Sequence, residues 1–417
     1  METQHILNQN IHPLAIEICK ILNSHNYQAF IVGGCVRDLL LGAIPKDWDI
    51  TSNANPEQVM KIFPKTIPTG LQHGTVTVVM GDSADNHFEV TTFRIEGEYK
   101  DGRRPEEVFF VQDIEEDLSR RDLTINAIAY DPIQSVLIDP FEGIKDLKDG
   151  LIQAVGSPTI RFREDGLRIM RVARFAARFG YNVSESTLQG MKNNLDTLKK
   201  ISKERISDEL GKTLMANNPS LGLQILQDSG ALDIACPLLA SRQLPMLSKQ
   251  NNCVGELETR LAFLYDKIDI AKVEKELLAL KFSNKEVKKI VFLLRTLDLW
   301  LITQMQLNSM QSALAYRHFI AFIKNEAPET WERALEQFVI LSKALETPIQ
   351  AILDKYREQI VYSRKELQIN GNDLITELSI KPGPQIKAVL NSCYQDILKY
   401  PEHNNKNYLL LLASERL

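Results

Sequence analysis

An α+β chain is predicted, with a small α/β head followed by an all-helical remainder, and three observations carry the prediction. Short β-branched apolar runs alternate with helix-like segments up to about Phe141. Strand signals then fade, and from about Ser157 onward almost every periodic segment has helical spacing. The 417 residues exceed what one core usually holds, so roughly two to four domains of ordinary size are expected.

Taken in order, Gln28 to Val32 is a continuous apolar run and reads as a strand, closed by Gly33-Gly34. Cys35 to Leu41 reads as a helix, Trp48 to Thr51 as a strand, and Pro56 to Ile62 as a helix with proline in its first turn, where a missing N–H is harmless. Thr75 to Met80 and His87 to Phe93 flank the polar run Gly81-Asp82-Ser83-Ala84-Asp85-Asn86, the pattern of a hairpin. Ser241 to Gly255 is rich in breakers and divides the helices, and Lys381-Pro382-Gly383-Pro384 marks a sharp turn. No repeat of fixed period stands out.

Hydrophobic residues at 44% and charged residues at 25% are ordinary for a folded chain. No apolar run approaches the roughly 18 to 20 residues a bilayer span needs, and Met1-Glu2-Thr3-Gln4-His5 lacks the basic and apolar blocks of a secretory signal. A cytoplasmic location with no membrane association is expected. Cys19, Cys35, Cys236, Cys253 and Cys393 show no C-x-x-C spacing, which argues against zinc or a disulfide framework and for buried, reduced thiols. The net charge of −5 is uneven: residues 153–212 hold twelve Lys or Arg against seven Asp or Glu, +5, which leaves −10 for the rest. Six of the twelve are arginines between Arg161 and Arg178, a place for a polyanion to dock.

The chemistry is concentrated upstream. A Gly33-Gly34 turn ahead of a helix bearing Arg37 suits a phosphate, and Asp47 and Asp49 suit a metal. In a strand, positions i and i+2 share a face, so the two aspartates would project together while Trp48 turns away. Converging carboxylates repel one another unless a cation intervenes, and Mg²⁺ prefers such oxygen ligands. Glu89, on an expected neighbouring strand, is the best third carboxylate. A site of this kind serves in-line attack of a hydroxyl on a nucleotide α-phosphate with pyrophosphate leaving, with one metal ion activating the hydroxyl and a second neutralising the triphosphate.

Five motifs in order bear a resemblance. Gly33-Gly34-Cys35-Val36-Arg37-Asp38, Lys46-Asp47-Trp48-Asp49, Arg120-Arg121-Asp122-Leu123-Thr124-Ile125-Asn126-Ala127, Glu164-Asp165-Gly166-Leu167-Arg168 and Glu204-Arg205-Ile206 resemble the class II tRNA nucleotidyltransferases and bacterial poly(A) polymerases. Asp139-Pro140-Phe141-Glu142-Gly143 adds to the match, which is dense from about Phe30 to Leu210, and Asn370-Gly371-Asn372-Asp373-Leu374 is similar to the tail of bacterial CCA-adding enzymes. The resemblance implies a catalytic head (1–145), a neck that recognises the base (146–212), a body (213–325) and a tRNA-binding tail (326–417).

It also implies roles. Gly33, Gly34 and Arg37 would meet the incoming triphosphate, Asp47 and Asp49 would hold metal, Arg121 would bind the nucleotide and Asp122 would lie near the ribose, with Asn126 in the same motif. Asp122 could equally cap a helix running through Ala127. Asp165 and Arg168, placed one helical turn apart at i and i+3, would read the base edge, with Arg171 and Arg174 nearby. A carboxylate taking the exocyclic amino proton and a guanidinium giving to the ring nitrogen accept both cytosine and adenine, whereas guanine and uracil present the reverse order. Gly166 departs from the family pattern, and in a helix interior would cost about 1 kcal/mol relative to alanine.

The implied activity is addition of CCA to the tRNA 3′ end from CTP and ATP, with Mg²⁺ and no required protein partner. An A-only enzyme and a poly(A) polymerase remain the alternatives. The polar segment Arg94 to Pro105 corresponds to a family loop that accompanies terminal A addition, and Phe63 to Val76 resembles the CCA type rather than the polymerases. None of the seven histidines is followed by aspartate, so no attached phosphohydrolase is expected.

Overall fold

The apolar runs of the head assemble into one mixed seven-stranded sheet in the computed structural model, which describes residues 10–81, 86–97, 108–241, 249–307 and 312–416. Its strands are β1 (Ala29–Val32), β2 (Asp49–Ser52), β3 (Thr66–Gly70), β4 (Thr75–Val79), β5 (His87–Thr92), β8 (Ala129–Asp131) and β9 (Val136–Ile138), in the order β3-β4-β5-β2-β1-β8-β9. A separate ribbon pairs β6 (Arg94–Glu96) with β7 (Val108–Phe110). Only β2 and β5 run parallel within the large sheet, in a register that sets Asp49 opposite Glu89. The strands predicted at Gln28, Trp48, Thr75 and His87 all appear within a residue of those bounds, and β4 pairs antiparallel with β5 as a hairpin should.

Helices α1 (Pro13–Ser24), α2 (Gly34–Leu40), α3 (Pro56–Ile62) and α4 (Ile114–Ser119) accompany the sheet. In α3, Asn55 and Gln58 form a reciprocal capping box with Pro56 just inside, which sets where this helix begins. Phe30, Val32, Phe93, Leu118, Ala127 and Ala129 are part of one buried cluster beneath the sheet. β3 was not legible, because Thr-Ile-Pro-Thr-Gly neither alternates nor tolerates a ladder at Pro68; it is accommodated as an edge strand. The predicted hairpin tip at residues 82–85, most of the polar segment 94–105, and 242–248 of the breaker-rich stretch lie outside the described residues.

Helices follow: α5 (Gly143–Asp149), α6 (Pro158–Glu164), α7 (Leu167–Phe179), α8 (Glu185–Asn193), α9 (Leu195–Leu198), α10 (Lys203–Leu214) and α11 (Pro219–Ser229), with a two-residue parallel pair Leu151–Ile152 and Asn182–Val183 between them. Ile169, Met170, Val172, Ala173, Ala176 and Ala177 of α7 are buried, and the helix packs on α10 and α11. Arg168, Arg171, Arg174 and Arg178 recur on it at spacings of three and four, as a second stripe. All of this belongs to one unit, Met1–Ser248.

The other unit, Lys249–Leu417, has its own core. The 23-residue helix Asn284–Gln306 buries Trp300 against Phe319, whose ring also meets Phe338, with centroids 5.3 and 5.5 Å apart. The predicted turn at Lys381 to Pro384 becomes the start of the helix Pro384–Lys399. Among the described residues no helix is long and apolar enough to cross a membrane. All five cysteines are free and buried.

Candidate active site

Gly33 ends β1 with φ of +76° and donates its N–H to the Ile128 carbonyl at 2.9 Å. The positive φ favours glycine here, and a Cβ would stand 2.8 Å from Nη1 of Arg121, so that guanidinium would have to shift. At Gly34 a Cβ would meet Nη2 of Arg37 only at 3.6 Å, ordinary contact. No side chain caps α2, so its first backbone N–H groups are left to face an anion beside the arginines. Arg37, 3% exposed, gives Nε and Nη2 to Asp38 Oδ1 at 2.9 and 2.7 Å and Nη1 to Asn126 Oδ1. Its guanidinium lies over Phe175 and Phe179 of α7, 5.3 and 5.1 Å from the ring centroids.

The carboxylates gather on the β2–β5 edge of the same turn. The strand begins at Asp49, one residue later than predicted, and Asp47 occupies the bend before it, so the two do not alternate along one strand. Trp48 between them is buried, its ring centroid 6.3 Å from that of His12. Asp49 is half-buried, Asp47 and Glu89 exposed. Burial raises the Asp49 carboxyl above its ordinary value, Arg121 and Arg37 work against that, and the neighbouring charges of Glu89 and Asp47 reinforce it. Among the described residues no three acidic, His or Cys side chains form a metal cage. An open carboxylate edge is what Mg²⁺ uses when substrate phosphates and water complete its shell, so the donor set fits that ion.

Arg120 to Asn126 supplies the opposite wall. Arg121 donates Nη2 to Asp117 Oδ2 at 3.3 Å and Nη1 to the Asn126 carbonyl at 3.4 Å, while its Nε is buried without a partner. Asp122 caps no α-helix: residues 124–126 make a single 3-10 turn with Leu123 at its cap position. Instead its Oδ1 accepts from Leu123 N and Asn126 Nδ2 at 2.9 and 3.1 Å, and its Oδ2 from Arg171 Nε at 2.7 Å. Burial would raise this carboxyl, yet Arg171, Asn126 and Arg168 hold it well below the usual range.

The neck corrects the expected base-reading geometry. The helix breaks between Glu164 and Leu167, so Asp165 and Arg168 are not one turn apart on a common helix. Asp165 has extended φ and ψ of −139° and 108°; its Oδ1 accepts from Leu167 N at 2.9 Å, and its Oδ2 from Arg205 Nη2 at 2.9 Å. Arg168 pairs instead with Glu164 at 2.6 Å and donates Nη2 to the Arg120 carbonyl at 3.0 Å. Gly166 lies in the break, where a Cβ would be 2.5 Å from Thr197 C and 2.7 Å from Leu198 N. Close backbone approach, rather than a loosened helix, explains it.

The arginine cluster is also less open than its charge count suggests. Arg161 bridges Glu164, Arg174 bridges Glu209 at 2.5 Å, and Arg178 bridges Asp38 at 3.0 Å. Phe175 and Phe179 stack with centroids 6.1 Å apart and receive Arg171, Arg174 and Arg178 as well as Arg37. Sequence reasoning missed Asp117, Glu209 and the two phenylalanines as members of this network. Asp38, Glu164 and Arg205 lay inside the motifs named above without a role of their own, the one signal that could have found them.

Three family models match: the poly A polymerase head domain over residues 29–153, the probable RNA and SrmB-binding site of polymerase A over 180–242, and a putative tRNA nucleotidyltransferase domain 2 over 256–413. The chain is 36% identical to the CCA-adding enzyme of Ligilactobacillus salivarius over 410 residues, 97% of this chain and 96% of that one. With the CCA-adding enzyme of Geobacillus kaustophilus it shares 34% over 96% of each. Among solved structures, the Bacillus stearothermophilus CCA-adding enzyme in complex with CTP aligns at a TM-score of 0.71 and 32% identity, covering 97% of this chain and 98% of that one. The Thermotoga maritima CCA-adding enzyme complexed with tRNA-CCA shares the fold at a TM-score of 0.66 and 21% identity, covering 98% and 97%.

Proposed function

The chain belongs to the family of CCA-adding tRNA nucleotidyltransferases, and from that premise we propose that it builds or repairs the 3′-terminal CCA of tRNA from CTP and ATP. One observation supports this reading most: a continuous polar network joins the helix behind the Gly33-Gly34 turn to the neck. It runs from Arg37 through Asn126 and Asp122 to Arg171, whose guanidinium also feels the charge of Asp165. Reactive phosphate and base edge could then occupy opposite ends of one site.

Asp47 and Asp49, with Glu89 beside Asp49, would hold Mg²⁺ at the triphosphate. When bound, that ion supplies charge neutralisation and a more acidic attacking hydroxyl. Gly33 and Gly34 leave room for phosphate, and Arg121 faces it. Arg37 and Asn126, tied to each other, stiffen the turn. Asp122 holds Arg171 beside the nucleotide, and Arg174 is held by Glu209 and the Phe175 ring. Asp165 keeps unused lone pairs for an exocyclic amino group, and Arg168 is the donor to the ring nitrogen. A base with the reverse pattern would leave both groups unpaired, which is what penalises it. The head assignment is residues 1–145, the base-reading neck 146–212, and tRNA contact falls to the body (213–325) and tail (326–417).

The test supplies three tRNA transcripts, ending before CCA, after one C and after CC, with CTP or ATP alone and Mg²⁺. C is expected on the first two and A on the third. A addition to the third with no extension of the others would replace this reading by an A-only enzyme, and long A tails on unrelated RNA by a poly(A) polymerase.

A further inference from the structure

Asp117 carries no role in the chemistry above, yet it is the most enclosed acid near it. Its side chain is fully buried at the last turn of α4. Oδ1 accepts from Arg120 Nε and Nη2 at 3.0 and 2.8 Å and from the Arg94 backbone N at 3.3 Å. Oδ2 accepts from Arg121 Nη2 at 3.3 Å. A buried carboxylate needs a charged partner, and the two-pronged contact with Arg120 already provides one. The bond to Arg121 is therefore available for orientation.

That orientation matters because Arg121 stands at the phosphate turn. With Nη2 held from behind, Nη1 is turned to Gly33, 2.8 Å from where a Cβ would be, and the buried Nε keeps a free N–H. An untethered arginine is a long, flexible arm, and a planar guanidinium fixed in advance loses less entropy when it meets a phosphate. The Arg120 carbonyl, on the same clamped segment, receives Arg168 from the neck.

We propose that Asp117 is a positioning residue that sets the Arg121 guanidinium for the incoming nucleotide, without touching the nucleotide itself. This rests on the reading of Arg121 as a nucleotide-binding group. It is tested by a double-mutant cycle on the full chain, with KM and kcat for CTP and ATP measured for the wild type, Asp117→Asn, Arg121→Lys and the pair. Each single change is expected to raise KM for both nucleotides about tenfold with a smaller change in kcat, and the pair to be no worse than Arg121→Lys alone.

If Arg121→Lys leaves KM unchanged, the reading of Arg121 falls. If Arg121→Lys raises KM and Asp117→Asn does not, or if the two effects multiply, Asp117 has no such role and the site reading survives. Thermal melting identifies a misfolded Asp117→Asn. In that case Asp117→Glu, which keeps the charge and displaces the carboxylate, replaces it in the cycle; an unchanged KM there overturns the proposal.

Discussion

At the residue scale the carboxylates carry the sharpest expectations. Asp47→Ala or Asp49→Ala should reduce nucleotide addition at least about a thousandfold, or ~4 kcal/mol of transition-state stabilisation, measured in single turnover with saturating tRNA. Asp49 also sets a pH dependence. Burial first, then Glu89 and Asp47, raise its carboxyl. The folded chain thus holds this proton more tightly than the unfolded chain, so the group favours the fold at low pH and that contribution is lost as pH rises through the folded pKa. Metal binding needs the ionised form. The Mg²⁺ concentration for half-maximal rate should therefore climb on acidification while still above the ordinary aspartate value of about 3.9. A half-saturation that begins to climb only at or below that value would show that Asp49 is not raised or does not hold the metal. These acids were legible in the sequence because Asp47 and Asp49 stand two residues apart and Glu89 falls in a strand-like run, although strand alternation fails for Asp47, which lies in the bend. The acid–arginine pairs around them were not: Arg171 and Asp122 are 49 residues apart and Arg174 and Glu209 are 35, and no periodicity reports such pairs.

At the scale of elements, the α6–α7 break shows where local rules mislead. Glu164 to Arg168 has helical composition, and a glycine inside a helix would be improved by alanine by about 1 kcal/mol. The close approach of Thr197 and Leu198 reverses that sign. Gly166→Ala should destabilise the unit by ~2 kcal/mol or more and relax the choice of base, because Asp165 and Arg168 flank the break. Urea unfolding together with misincorporation of UTP or GTP checks both. A more stable, fully selective variant would mean that the helix runs unbroken. The helix Pro56–Ile62 was readable because proline fits the first turn of a helix. The edge strand β3 was not, since pairing with β4 alone holds it.

At the scale of the whole molecule, the division into head and helical remainder was legible because strand periodicity stops and helical periodicity continues. The boundary at 248 falls inside the breaker-rich stretch Ser241 to Gly255, which the sequence already marks as dividing the helices, and it separates a unit holding the sheet and α7 from one holding Trp300 and Phe319. Cys35 gives this division a use. It sits in the first turn of α2, just after the Gly33-Gly34 turn, and burial pushes its thiol up to about 12. A thiolate is the reactive form, so this thiol offers an alkylating reagent little to react with. Burial also raises the thiols of Cys19 in the first unit and of Cys253 and Cys393 in the second, and Cys236 in the first unit is buried too. In the folded chain all five should resist iodoacetamide, and the order in which peptides gain label as urea rises should report which core opens first. Rapid labelling of Cys35 without urea would mean that the phosphate turn itself opens. The thiols thus act as internal clocks of unfolding, two cores timed separately in one chain without any added probe.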